Sequence, residues 1–123
     1  MKPLFELNQH SDIEAEAILL GTLISFENAI IKCYDVLEPR DFYDKFHQKL
    51  YECLVCCFAK NIKIEALSIQ REFKKQFPDQ KKDYEIVTIA DKSPSEANIE
   101  YYIDTIKNQS LTREFLITQY NSL

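Results

Sequence analysis

Glycine is nearly absent from this chain: Gly21 is the only one among 123 residues. There are just four prolines. Left-handed backbone positions and tight two-residue hairpin turns therefore have few residues from which to form, and no β-hairpin signal is present. Helices joined by short loops remain, so an all-α fold is expected. The same scarcity rules out a glycine-rich phosphate loop or a dinucleotide fingerprint, each of which needs several glycines, and nucleotide hydrolysis by these residues is not expected. With 46% hydrophobic and 28% charged residues, a chain of this length should form one domain and bury about two thirds of its unfolded surface. No apolar run approaches the ~18 to 20 residues of a membrane helix. Met1 to Leu7 has one lysine and no apolar core or cleavage site, so no secretory signal is expected and the cytoplasm is the natural compartment.

Apolar spacing divides the chain into segments. Ser11 and Glu14 have capping-box spacing, followed by Ile13, Ala17, Leu20 and Ile24 at helical intervals, which predicts a first helix over about 12–24. Gly21 lies inside it at a cost of about 1 kcal/mol relative to alanine, and close approach of a second backbone is the expected compensation. A second helical segment is predicted from Phe26 to Leu37, stopped by Pro39. From Asp44 to Lys60, Phe46, Leu50, Cys53, Leu54, Cys57 and Phe58 form a broad apolar stripe, the mark of a central buried helix. Glu65 to Phe77 repeats the pattern until Pro78, and a short helix follows near Tyr84 to Asp91. Ser93, Pro94 and Glu96 combine a capping box with an N-terminal proline and predict the start of a long helix. That helix carries Ile99, Tyr102, Ile103 and Ile106 on one face, meets the polar run Lys107 to Ser110, and resumes with Leu111, Phe115 and Leu116. Continued to Tyr120 it would be about 39 Å long, so its far end is expected to project from the head.

Few side chains suggest chemistry. The net charge of −5 disfavours duplex DNA as a direct ligand. Lys60 to Lys82 nevertheless holds seven basic residues against Glu65, Glu72 and Asp79; a solvated face is the simpler reading and a nucleic-acid face the alternative. Cys33, Cys53, Cys56 and Cys57 lie among apolar residues and are expected as reduced buried thiols. His47 with the central-helix cysteines would be the raw material of a zinc site, but Cys53 and Cys57 share the apolar stripe while His47 points elsewhere on the helical wheel. Glu14 and Glu16, two apart on a helix, do not form a shared acid/base pair and read as first-turn charges complementing the helix dipole. No nucleophile turn or oxyanion donor accompanies His10 or His47, so no catalytic residue is assigned.

The order of the pieces is more specific than any one of them. Ser11-Asp12-Ile13-Glu14-Ala15-Glu16, Leu20-Gly21, Leu37 followed by Asp41-Phe42-Tyr43 and His47, Ser93-Pro94-Ser95 followed by Ala97-Asn98-Ile99-Glu100-Tyr101-Tyr102, and finally Ser110 and Arg113 together resemble the N-terminal domain of bacterial replicative DNA helicases of the DnaB type. The resemblance implies a compact multi-helix head over about 11–106. The long C-terminal helix would then enter, over about 107–123, the first arm of a helical hairpin whose remainder, with the RecA-like motor, lies outside this sequence.

On that resemblance the domain is a docking and self-association module of a hexameric, ATP-dependent 5′–3′ helicase. It would shape the N-terminal collar and recruit primase through primase's helical C-terminal domain, with a helicase loader or initiator as a further partner. The domain itself would hold no cofactor. ATP and magnesium would belong to the motor, which would also make the main contact with DNA. Positions associated with primase docking fall on Glu14, Arg113 and Leu116. Leu111, Phe115 and Leu116, apolar and beyond the polar run, are candidates for self-association, dimeric in a chain of this extent. The chain departs from the family pattern at Ile64-Glu65, where an aspartate is usual, at Lys81-Lys82-Asp83, where a glycine pair is usual, and at Glu85, which takes the place of an aromatic docking residue.

Overall fold

A computed structural model describes residues 10–93 and 95–122 of the chain. Five α-helices and two short 3-10 turns, without strands among the described residues, make up the fold. Met1 to Leu7, expected to lack a targeting signal, and Pro94, expected to open the last helix, lie outside the described residues.

Helix α1 spans Ile13–Ser25, and its N-cap is Asp12, whose carboxylate accepts from the Ala15 amide at 2.9 Å. The cap is thus one residue later than the Ser11 that the capping-box spacing singled out. Aspartate is as good a cap as serine, and the register of the buried Ala15, Ala17 and Leu20 decides between them. From Leu19 to Ile24 every residue of α1 is buried. A helix apolar on so many sides belongs in the middle of a domain, and α1 packs against α2, α4 and α5. Gly21 makes this possible, since a Cβ there would overlap the carbonyl oxygen of Ile89 at the end of α4. This is the close backbone approach expected of a lone helical glycine.

The helix predicted over Phe26 to Leu37 does not form. Phe26 is extended and Asn28 takes a left-handed conformation at φ 67°, so the segment becomes a chain of turns around a 3-10 turn at Ala29–Lys32. Its buried residues, Ala29, Ile30, Cys33 and Leu37, keep helical spacing because successive turns bonded to the third or fourth residue repeat with nearly the same period. The Tyr51 hydroxyl stands at 3.2 Å from the Cys33 carbonyl and 3.0 Å from that of Leu37, tying the segment to α2. A second 3-10 turn, Pro39–Asp41, follows.

Helix α2, Lys45–Ala59, starts at Asp44, which accepts from the His47 amide at 3.0 Å. Leu50, Cys53, Leu54 and Cys57 of the predicted stripe are fully buried, together with Tyr51, which lay outside it, whereas Phe46 and Phe58 at its edges are only partly buried. Helices α3, Ala66–Gln76, and α4, Asp83–Ala90, close the other side of the core through Ile69, Phe73, Ile86 and Ile89. Helix α5, Ile99–Asn121, starts at Asn98, five residues later than the predicted Ser93 cap. Ser93 is instead buried at the α1–α4 junction, where its hydroxyl meets that of Thr22 at 2.7 Å and donates to the Ser95 carbonyl at 2.8 Å. The hydroxyl is used by tertiary structure, so it does not cap. With 23 residues α5 is about 34 Å long, and it continues without interruption through the polar run Lys107 to Ser110.

Candidate docking surface

Two buried polar networks position the surface around the start of α1. Glu16 is a first-turn acid of α1, as read from the sequence, but it points inward and is 2% exposed. Its carboxylate accepts from the Tyr43 amide at 2.6 Å and the Asp44 amide at 3.3 Å, and lies 2.8 Å from His47 Nδ1. His47, expected to point away from the core stripe, is therefore buried with its ring turned toward α1. Burying a carboxylate is tolerable only with several such donors, and here they fix the entry into α2 against α1.

The second network joins α5 to the Pro39–Asp41 turn. Asp41 accepts from the Glu38 amide at 2.7 Å, from Ser110 Oγ at 2.6 Å and from Lys107 Nζ at 3.4 Å. Arg113 donates to the carbonyls of Asp41 and His10, both at 2.8 Å, and its guanidinium lies 5.4 Å from the centre of the Tyr43 ring. Burial lowers the Arg113 pKa, while Glu16 and Asp41 nearby favour its charged form. The polar run that interrupts the apolar pattern of α5 thus supplies Lys107 and Ser110 as further contacts with the head.

Above these networks Ile13, 41% exposed, forms a ridge between two grooves. One, of about 260 Å³, runs between α1 and α4; its walls include Ala17, Tyr84, Thr88 and Ile89, with Glu14 and Lys92 on the rim. Those two are ion-paired at 3.2 Å in a largely solvated setting, where such a pair contributes little. The other, of about 620 Å³, lies between Tyr43, Lys45 and Gln48 on the head and Arg113 and Ile117 on α5. Glu14 and Arg113, singled out far apart in the sequence, stand on opposite sides of this ridge. Glu85, which stands where the resemblance implies an aromatic docking residue, also lines the first groove. Leu116 is half-buried, whereas Leu111 and Phe115 are 49% and 61% exposed on the free side of α5.

Several of the remaining candidates have local contacts. In the basic stretch Lys60 pairs with Glu72, Lys63 with Glu65 and Lys74 with Asp83, while Lys82 lies 5.3 Å from the centre of the Phe46 ring. Cys33, Cys53 and Cys57 are fully buried, whereas Cys56, expected to be buried with them, is only partly so because it lies beside the apolar stripe. Burial pushes the thiols of the first three up from 9.0, to about 11, 12 and 11. Among the described residues no group of three His, Cys, Asp or Glu is arranged to hold a metal ion. Glu16 and Asp41 organise the surface, yet sequence reasoning read Glu16 only as a first-turn charge and Asp41 only as part of a motif; a carboxylate amid the apolar Ala15, Ala17 and Leu19 was the available sign that Glu16 is buried.

Fold and surface together define a small all-helical head domain with grooves at one end and a protruding exit helix. Residues 8–108 match the family model described as the DnaB-like helicase N terminal domain, and the chain belongs to that family. It is 28% identical over 109 residues to the replicative DNA helicase DnaC of Bacillus subtilis, covering 87% of this chain and 24% of the relative. It is 32% identical over 123 residues to the replicative DNA helicase DnaB of Helicobacter pylori strain J99, covering all of this chain and 24% of the relative. The chain thus spans about a quarter of the length of these curated relatives. The crystal structure of the N-terminal domain of DnaB helicase from Mycobacterium tuberculosis superposes with a TM-score of 0.83 at 22% identity, over 90% of this chain and 80% of that one, and shares the fold. The N-terminal domain of DnaB helicase from Helicobacter pylori, a structure described together with its interactions with primase, gives 0.77 at 29% identity over 97% and 92%. Among the described residues no helix is long and apolar enough to cross a membrane.

Proposed function

We propose that this domain is the docking and self-association head of a hexameric replicative DNA helicase, and that it recruits primase and shapes the N-terminal collar during replication in the cytoplasm. The observation that carries this reading is the Ile13 ridge with its two grooves, present in a chain of the DnaB N-terminal family. Primase's C-terminal helical domain docks on Glu14 and the neighbouring apolar walls on one side, and on the α5 surface marked by Arg113 and Leu116 on the other. An apolar centre with a charged rim is the usual make-up of such an interface. Leu111, Phe115 and Leu116 mediate self-association, dimeric in this chain and hexameric in the whole helicase, and a loader or initiator is a further partner. ATP and magnesium binding, 5′–3′ unwinding and the main DNA contact belong to a motor domain. Its phosphate loop needs glycines that this chain lacks.

Calorimetric titration of the cognate primase C-terminal domain tests the docking reading. Transient interfaces are carried by a few residues. Glu14→Lys and Leu116→Ala should each weaken binding by about 1–2 kcal/mol, roughly 5- to 30-fold in Kd, with helicity unchanged by circular dichroism. Unchanged affinity in both folded variants would show that the docking surface lies elsewhere.

A further inference from the structure

The seam between α5 and the head changes character along its length. Ile99, Ile103 and Ile106 are buried apolar contacts, and at the same three- or four-residue spacing they are succeeded by Ser110 and Arg113, 9% and 7% exposed. Beyond Arg113 the helix continues for eight residues to Asn121, about 12 Å, and every one of these except the half-buried Leu116 is exposed. The last firm contact of α5 with the head is therefore polar. Hydrogen bonds weaken steeply once bent, whereas dispersion contacts tolerate small rotations and slides.

We infer that Asp41, Ser110 and Arg113 form a clasp that sets the direction in which α5 leaves the head. Arg113, only 7% exposed, then acts on docking and self-association chiefly as a positioning residue, by holding the α5 wall on which the partner docks. Arg113 bridges two separate pieces of backbone, the carbonyls of His10 and Asp41. Asp41, its side chain 3% exposed, holds Ser110 one turn earlier on the same helix face. Two fixed points three residues apart, each tied to the head, define both the rotation of the helix about its axis and its tilt. A guanidinium suits this place because its planar fork presents donors in two fixed directions, which a lysine ammonium does not. Replacing buried polar groups of this kind by well-packed apolar ones often leaves net stability unchanged, so fixed geometry is what the clasp adds over an apolar seam. The clasp aims Leu111 and Phe115, and it holds one wall of the groove formed by Tyr43, Lys45, Gln48 and Ile117. Its consequence for partners rests on the proposed docking function; the mechanical role does not.

The test is a pulsed electron-paramagnetic distance measurement between spin labels introduced as unnatural amino acids at the exposed positions Glu52 on α2 and Gln119 on α5. The 123-residue chain should give one narrow distance distribution. Ser110→Ala/Arg113→Gln should lose that single narrow peak, with circular dichroism still helical. Ile106→Ala, which weakens the apolar part of the same seam, should lower thermal stability yet keep the narrow peak. Should the double variant fail to fold, Ser110→Ala alone is measured and should shift or broaden the distribution. A wild-type distribution in the folded clasp variant, or equal broadening in Ile106→Ala, would overturn the inference. No partner is needed, so failure here leaves the docking reading untouched.

Discussion

Replacing Gly21 with alanine gives opposite signs according to whether the helix alone or the packed structure decides. Within an isolated helix alanine is favoured over glycine by about 1 kcal/mol, so α1 considered alone should be stabilised. In the folded chain the new Cβ would overlap the Ile89 carbonyl oxygen, a backbone atom that cannot rotate aside. That oxygen also accepts from the Lys92 amide at 3.0 Å in the turn leaving α4. Two further bonds, Thr22 to Ser93 at 2.7 Å and Ser25 to the Ala90 carbonyl at 2.6 Å, resist separation of the two helices at this point. Overpacking of this kind costs about 1–3 kcal/mol net of what the core can absorb. A change of 1 kcal/mol moves Tm by about 4 °C in a domain of this size, so the variant should melt about 4–12 °C lower. Its α1–α4 groove, walled by Tyr84, Thr88 and Ile89, should also be displaced. Calorimetric or circular-dichroism melts of the two proteins decide the matter, and a Gly21→Ala chain as stable as wild type or more so would refute the close-approach argument.

Glu16→Ala should destabilise by about 3–5 kcal/mol, because it strips the partner from His47 and from two backbone amides in a buried site; a loss below 1 kcal/mol in urea titrations would show the network to be dispensable. Native protein should react slowly with a thiol reagent at Cys53 and Cys57, and Cys53→Ser should cost about 1–3 kcal/mol; rapid labelling of both without unfolding would contradict their burial. Because burial holds the Cys33, Cys53 and Cys57 thiols at about 11, 12 and 11 rather than 9.0, the unfolded state loses protons first as pH rises. The thiol contribution to stability is therefore intact below pH 9 and is lost as pH climbs from there, at about 1.4 kcal/mol per pH unit for each thiol; urea midpoints equal at neutral pH and at the alkaline limit would be inconsistent with it. Leu111→Ser with Phe115→Ser should abolish a weak concentration-dependent dimer in sedimentation equilibrium, since these are large apolar side chains 49% and 61% exposed. A strictly monomeric wild type would count against self-association through α5.

Much of the fold is legible in the sequence because local and tertiary forces agree there. Asp44 to Lys60 shows this most clearly: a cap, a broad apolar stripe and a polar end all favour the same helix, and α2 spans Lys45–Ala59. Gly21 was readable for a different reason, since a glycine inside a helix needs a compensating contact. Where the reading failed, a side chain had a distant partner stronger than its local role. Ser93 has every local mark of a cap, but its hydroxyl meets Thr22, 71 residues away. Phe26 to Leu37 has helical spacing without helical hydrogen bonds throughout, and the left-handed Asn28 that breaks it carries no unambiguous signal. The site divides in the same way. Glu14 could be placed at the surface from its position on α1, whereas Glu16, two residues on, is buried by donors from the Tyr43–Asp44 backbone that no spacing rule brings to it. Arg113 was singled out by resemblance alone, and only the folded chain shows it tied to His10 and Asp41.

The docking claim itself is tested most directly by mapping the contact on the domain. At 14.5 kDa the uniformly labelled chain suits amide chemical-shift mapping by NMR while unlabelled primase C-terminal domain is added. Shifts should cluster on Ile13 and Glu14, on Tyr84 to Lys92 in and just after α4, and on α5 around Leu116. Saturating addition that leaves these amides unmoved, or that moves instead those lining the opposite cavity between Phe26 and Ile64, would contradict it.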